Sequence, residues 1–499
     1  MNNKFLAIFI IYILSETTLS ATTLKEVVGQ TLDSNPIIKE RLENYRATRE
    51  EIAISEAGYY PTLDLQSSVG RKATGKVSGS PDIAEETYNI FQNSLILRQN
   101  IFNGFSTHEQ VTYQKMRTLS ASYSFLEKAN DITLQTIKAY INLLKERELL
   151  TNSKDYLDNI EELYNKVRKA YKAGLTKMSE VSKIQSSLSL ARSNYLVQEN
   201  KISIVAYNYR RVTGQVADLR NMESVSFNHK LPPNQEEASM FALEYNPSVL
   251  VGNYNIKGAE ALYRESKSKF FPKIDLEVSE NYNEDYNKDY NKFNAVDDRF
   301  QAMIVVSYNL FNGGADEASR RNKLSKLSQE VSVTQDLRRQ VMESLDLSWS
   351  AYELANEQIT FLEHYNKESS NTLKLYNKEY DMGERSLLDL LATQNDLKRS
   401  KDEIINATYN LLLAKYRILD AMGLTMASIV GDIHKYYNRV GLHSSGIDLH
   451  EDTLPLTNDK DHDGIPNSKD LCNNTKRGQK VLPFGCTKSV NALDMIRLK

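Results

Sequence analysis

Ile101-Phe102-Asn103-Gly104 is spelled a second time, about 210 residues later, as Leu310-Phe311-Asn312-Gly313. Working outward, Tyr59-Tyr60-Pro61 answers to Phe270-Phe271-Pro272, and Asn35-Pro36 to Asn246-Pro247. On the other side Gly174 pairs with Gly383, Gln185 with Gln394, and Gly214 with Gly423. A constant offset of that size lies far above the roughly 20 to 50 residues of solenoid repeats, so the chain is a duplicated domain.

Between these marks the punctuation is sparse. Neither Gly nor Pro occurs from Phe105 to Ala173, or from Ala315 to Met382. As one helix each run would span about 100 Å, at about 1.5 Å per residue. Second uninterrupted runs follow Gly174 and Gly383 and end at Gly214 and Gly423. Runs of this length belong to long bundles or coiled coils. In the second copy Leu390, Leu397, Ile404, Leu411 and Ile418 stand seven apart, with Thr393, Ser400, Ala407, Ala414 and Ala421 three positions on. The first copy repeats the seam as Val181, Leu188, Tyr195, Ile202 and Tyr209. A seven-residue period winds helices left-handedly, and small partners let backbones approach. On this feature alone a two-stranded coiled coil remains an alternative.

Two other segments in each copy have period two. Strands are expected near 62–70 and 93–102, and again near 273–282 and 300–311, joined by polar loops. Alternation over about ten residues, flanked by Phe91, Phe102, Tyr308 and Phe311, suits a membrane barrel, although a soluble antiparallel sheet alternates similarly. The N-terminus decides between them. Lys4 precedes the apolar stretch Phe5 to Leu14, with small residues at Ser20 and Ala21, as in a secretory signal over residues 1–21. About ten apolar residues are too few for a spanning helix, and no later stretch approaches the roughly twenty required. An exported chain that crosses a membrane then does so as strands. Four strands are too few to close a barrel, and open edges cannot face lipid, so several protomers share one barrel. Three would supply twelve strands.

The duplicated Asn-Pro, the aromatic-aromatic-Pro before each first strand, the Phe-Asn-Gly exits and Gly383-Glu384-Arg385-Ser386-Leu387-Leu388-Asp389 together resemble the TolC family of outer-membrane factors over Thr22 to Gly431. The resemblance implies an α+β membrane protein: a homotrimer whose twelve-stranded barrel continues into a helical periplasmic tunnel. The two units are residues 22–218 and 236–430, with linkers at 219–235 and 431–455. Pro61 and Pro272 would stop the helices entering the barrel, and Gly104, Gly313 and Gly314 would permit the turns out of it. The resemblance also implies a periplasmic gate at Glu180, Tyr380, Arg385 and Asp389, with Arg385 and Tyr380 bonding Glu180 or nearby backbone, and Asp389 forming a threefold acidic ring. Ala392 stands where the family often has a second aspartate. Solvated helix-face charges are the simpler account of these four.

Beyond 431 the composition changes. Asp459, Asp461, Asp463, Gly464, Asn467 and Asp470 occupy positions 1, 3, 5, 6, 9 and 12 of an EF-hand-like loop, with Ile465 offering its carbonyl. Aspartate at position 12 shortens the usual bidentate ligand. Cys472 and Cys486, the only cysteines, read as one disulfide in an oxidising compartment. Residues 456–490 resemble a single thrombospondin type 3 repeat, which implies calcium as cofactor; an acidic linker is the alternative. Residues 491–499 form a tail.

A formal net charge of −3 gives no electrostatic case for nucleic acid. No H-E-x-x-H, G-x-S-x-G or Walker loop appears, so no enzyme is expected. The expected role is a passive duct in outer-membrane lipid with a periplasmic extension, served by a periplasmic adaptor and an inner-membrane ABC transporter. Type I protein secretion is favoured, since no lipidation cysteine follows the signal. Efflux driven by a proton-coupled pump, and a soluble coiled-coil scaffold, are the competing readings.

Overall fold

The computed structural model describes residues 22–74, 86–286, 295–430 and 432–442. The expected signal segment, the centres of both hairpin loops, the expected calcium module and both cysteines lie outside them. Each half builds the same run of elements. The first is α1 (Leu24–Ser34), α2 (Pro36–Glu56), β1 (Thr62–Thr74), β2 (Glu86–Phe102), α3 (Ser106–Lys172) and α4 (Met178–Thr213). The second is α5 (Gln235–Tyr245), α6 (Pro247–Glu265), β3 (Lys273–Tyr286), β4 (Ala295–Ser307), α7 (Ala315–Asp381) and α8 (Leu387–Ala421). Two short helices, α9 (Thr425–Ile429) and α10 (His434–Arg439), follow.

The repeated Asn-Pro has a local reason. Asn35 ends α1 by donating its backbone N–H to the Thr31 carbonyl, and its side chain accepts from Ile37 N–H at the start of α2. Asn246 does the same between α5 and α6. Proline follows at the first helical position, where no N–H is needed. Helices α3 and α7 are each 67 residues long, about 100 Å. No described helix is long and apolar enough to cross a membrane.

The strands form one antiparallel sheet in the order β1-β2-β3-β4. Register places Leu63 and Leu65 opposite Leu97 and Leu95, then Val278 and Glu280, then Ala302 and Phe300. This face is mainly apolar, broken by Glu280 and by the level of Ser67, Asn93 and Asp298, beyond which Val69 and Phe91 resume it. The opposite face is polar and bonded across strands: Ser94 to Asn281 at 2.8 Å, Asn100 to Asp275 at 2.8 Å, Arg98 to Glu277 at 3.4 Å. One wet face and one apolar face is the pattern of a barrel wall. Within one chain the sheet is open, its β1 and β4 edges unpaired by any described strand.

Several boundaries differ from expectation: β1 runs on to Thr74, β2 begins at Glu86, β3 runs on to Tyr286 and β4 begins at Ala295, so both hairpins are longer at their turn ends. β4 ends at Ser307, not 311, because Asn309 Oδ1 accepts from Phe311 N–H and Gly313 and Gly314 follow at φ +59° and +79°. Of the 431–455 linker, residues 432–442 are described, and they fold onto the first unit. Tyr436 and Val440 are buried, Lys435 and Arg439 both pair with Asp33 of α1, and Ser122 of α3 donates to the Val440 carbonyl at 2.9 Å. This strap ties the C-terminal end of the second unit onto the first.

The core is asymmetric. α3 packs against α2, α4, α6 and α8 and buries Phe125, Ile137, Tyr140 and Leu143 fully. α7, its counterpart, packs against α5, α6 and α8, and leaves Leu347, Leu354 and Phe361 exposed, Phe361 by 75%.

Candidate functional site

Far from the sheet, α3–α4 and α7–α8 turn back through left-handed Gly174 and Gly383. In each turn the glycine N–H and the next one reach back to the helix end: Gly174 to Tyr171 and Leu175 to Ala170, Gly383 to Tyr380 and Glu384 to Glu379. Such caps satisfy orphan carbonyls and fix the tip. Beneath it lies an apolar seam of Leu163, Val167, Val181, Ile184, Leu373, Leu387 and Leu390, drawn from both hairpins.

On this platform the four expected gate residues divide into two groups. Arg385 is engaged by Glu379, with Nε at 2.8 Å and the second nitrogen at 2.7 Å, and its guanidinium lies 4.1 Å from the centre of the Tyr376 ring. Within the chain its partner is therefore Glu379 rather than Glu180. Asp389 sits in the first turn of α8: its N–H donates to Ser386 Oγ, and the Ser386 hydroxyl donates back to its carboxylate at 2.8 Å. A carboxylate there also suits the positive end of the helix dipole. Glu180, in the first turn of α4, accepts from the Thr176 hydroxyl.

Tyr380 belongs with Glu180. Burial pushes the Tyr380 phenol up, and the nearby carboxylates of Glu180 and Asp381 push in the same direction. Asp381 is ion-paired with Lys166 of α3, whose ammonium lies 5.7 Å from the Tyr380 ring. The tip thus holds one cross-hairpin charge contact, Lys166–Asp381, and one local pair, Arg385–Glu379. Sequence reasoning missed Glu379, Tyr376, Lys166 and Asp381. Glu379 was findable as the opposite charge across the Gly383 turn, whereas Lys166 is 215 residues from its partner.

At the sheet end, Pro61 and Pro272 immediately precede β1 and β3, each after a 3-10 turn (Ala57–Tyr59, Ser266–Phe270) that closes the incoming helix. Gly104 has φ +65°, and a β-carbon there would stand 2.5 Å from the Ser268 carbonyl oxygen. Phe105 follows at φ +67°, the one non-glycine described residue in this region, in the place Gly314 fills in the second copy. Its ring packs edge-on against Phe102 at 5.4 Å.

Between the sheet and the tip, α2, α3, α6, α7 and α8 line a half-open cleft of about 400 Å³ that includes Arg41, Glu127, Lys128, Asp131, Gln340 and Asp420. The Asp420 carboxylate is enclosed by packing even though the residue keeps some exposed area, and that burial pushes it up to about 6. Its bond from Thr425 and the charge of Lys138 oppose the shift, while Asp131 adds to it. The described residues contain no cluster of His, Cys, Asp or Glu able to hold a metal. The expected calcium ligands Asp459, Asp461, Asp463, Ile465, Asn467 and Asp470, and the cysteine pair Cys472 and Cys486, lie outside the described residues.

A family model described as outer membrane efflux protein matches residues 27–215 and 240–424, one stretch in each unit. Among curated relatives, the outer membrane efflux protein BepC of Brucella suis is 23% identical over 421 residues, covering 83% of this chain and 88% of that protein. The outer membrane protein TolC of Escherichia coli is 20% identical over 412 residues, with coverage of 81% and 82%. The proteases secretion protein PrtF of Dickeya chrysanthemi is 18% identical over 377 residues, covering 74% and 81%. In fold, the CmeC outer membrane channel of Campylobacter jejuni superposes with a TM-score of 0.72 at 15% identity, over 85% of this chain and 90% of that one.

Proposed function

The chain belongs to the outer membrane efflux protein family, and from that premise we propose that it is the outer-membrane exit duct of a tripartite export system. It resides in the outer membrane with a periplasmic extension, and it works as a conduit rather than an enzyme. The observation that carries this is the continuity of a two-faced sheet, apolar on one side and polar on the other, with helical hairpins about 100 Å long. Three copies would close the open sheet into twelve strands. The partners are a periplasmic adaptor and an inner-membrane transporter, with outer-membrane lipid around the barrel.

The favoured cargo is protein, exported with an ABC transporter as in type I secretion of adhesins or toxins. The likeness to a proteases secretion protein supports this. Small-molecule efflux with a proton-driven pump is the second reading, supported by the likeness to an efflux protein. Deleting the gene separates them: loss of a large secreted protein from the medium favours the first, and heightened sensitivity to toxic compounds with secretion intact favours the second. The C-terminal acidic loop is read as a calcium site and Cys472–Cys486 as its flanking disulfide.

The tip is read as the gate. Single-channel conductance in planar bilayers tests it, with wild type beside Arg385→Ser and Glu180→Gln. Small wild-type currents that rise in the variants support a charge-held gate. Unchanged conductance in both removes it.

A further inference from the structure

Phe105 breaks a rule that its twin in the second unit keeps. It stands at φ +67° where the second unit has Gly314 at φ +79°. For a residue with a β-carbon the left-handed region carries an energetic penalty, and a bulky side chain there is an outlier. Little within the chain offsets it. The ring is 60% exposed, and its aromatic neighbour is Phe102, met edge-on at 5.4 Å. Strain of this kind persists where something else compensates for it.

The compensation lies on the apolar side of the sheet. Phe102 stands opposite Ile274, and Ile274 shares a face with Leu276 and Val278 by strand alternation. Phe105, packed on Phe102, extends that apolar face to the start of α3. Exposed rings line the same junction: Tyr60, Phe270 and Phe271 before the strands, Tyr308 and Phe311 after β4. A β-carbon on Gly104 would touch Ser268 and Phe271, so Phe105 lies beside the turn that carries the exposed Lys267 and Lys269. The Lys267 ammonium sits 4.8 Å from the centre of the Tyr263 ring. Aromatic rings beside long ammonium side chains match the interfacial layer of a bilayer, where rings lie at headgroup level and lysines reach phosphates. A second copy is not the occupant: copies would join at the β1 and β4 edges, whereas Phe105 follows β2, an inner strand.

We propose that Phe105 is a bilayer anchor. Its ring inserts into the interfacial layer of the periplasmic leaflet, with Lys267 at the lipid phosphates, and so fixes the height at which the duct sits in the membrane. The contact with lipid offsets the strained backbone. The proposal rests on the reading of the sheet as a membrane wall.

Full-length protein reconstituted in vesicles of phosphatidylcholine, brominated on the acyl chains near the headgroup, tests it. The chain's one tryptophan, Trp349, is buried in α7 about 50 Å along that helix from its sheet end, and serves as an internal control. Bromination should at least halve the added emission of Phe105→Trp and leave that of wild type nearly unchanged. Quenching of Leu97→Trp, on the apolar face of β2, without quenching at position 105 overturns the anchor. Absence of quenching at both positions overturns the membrane wall beneath it. Phe105→Gly relieves the strain and is therefore expected to fold. Alkaline carbonate should extract it from the vesicles at least threefold more readily than wild type, with Phe105→Trp retained. A ring that served only packing within the chain would leave the glycine variant as firmly held as wild type, and that result also overturns the anchor.

Discussion

Replacing Asp420 with asparagine should stabilise the protein, and only above mildly acidic pH. Burial holds this carboxyl at about 6, against an ordinary 3.8. At about 1.4 kcal/mol per pH unit, that gap makes the ionised folded form costly by about 3 kcal/mol. The sign follows from linkage. A carboxyl whose folded value is raised favours the folded state fully below about pH 4, and that contribution is lost as pH rises through about 6. Asparagine has no charge to desolvate and keeps an oxygen to accept from the Thr425 hydroxyl, now 3.0 Å from Asp420 Oδ1. Urea unfolding of the detergent-solubilised protein at pH 4, 6 and 8 would measure the effect. The variant should match wild type at pH 4 and exceed it at pH 8 by up to about 3 kcal/mol, a figure already net of the attraction to Lys138. A variant less stable than wild type at pH 8 would refute the reasoning, because it would mean that attraction to Lys138 outweighs burial.

Two further outcomes concern the turn out of the sheet. Gly104→Ala should cost about 3 kcal/mol or more, since it adds a collision with the Ser268 carbonyl to the roughly 1–2 kcal/mol penalty of the left-handed region. Gly313→Ala, with open space around it at φ +59°, should cost only that penalty; equal losses in urea midpoint would sink the distinction. At Phe105 the order of side-chain size should invert: Phe105→Gly removes strain as it loses a ring contact worth about 1 kcal/mol, while Phe105→Ala loses the contact and keeps the strain. Alanine should therefore be the worse by about 1 kcal/mol, and a more stable alanine variant would show that φ +67° carries no strain.

Much of this architecture was legible because it is periodic and punctuated. Long stretches free of Gly and Pro became α3 and α7, and Gly174 and Gly383 fell at the turns. The small-residue row Thr393, Ser400, Ala407, Ala414 and Ala421 is buried throughout, while Leu397, Ile404 and Leu411 between them are only half-buried. Backbones approach along the small residues, so these, more than the leucines, mark the seam. What stayed hidden was non-local: Lys166 meets Asp381 of the other hairpin across 215 residues, which no local pattern signals. Arg385, expected to bond Glu180 or nearby backbone, pairs within the chain with Glu379, six residues away across the turn. The end of β4 was hidden for the opposite reason: Tyr308, Leu310 and Phe311 continue the strand's composition, and only the side chain of Asn309 bends the backbone there.

The duplication also says what one chain lacks. On α3, Asn152 donates to Asp402 of α8 at 2.8 Å, and Tyr156 reaches Asn395 at 2.6 Å. The corresponding positions of α7 are Phe361 and Tyr365, and those of α4 are Ser193 and Ser186. Within the chain α4 and α7 have no substantial packing against each other, and Phe361 and Tyr365 remain exposed. Large rings on one helix and serines on the other are complementary in volume, as the polar pairs are between α3 and α8. Each unit therefore presents one finished side to its twin and one unfinished side outward. The same holds for the sheet, where β2 pairs with β3 but β1 and β4 end in open edges. Helices and strands are thus incomplete on the same two flanks, so a closed ring of like chains would complete both together.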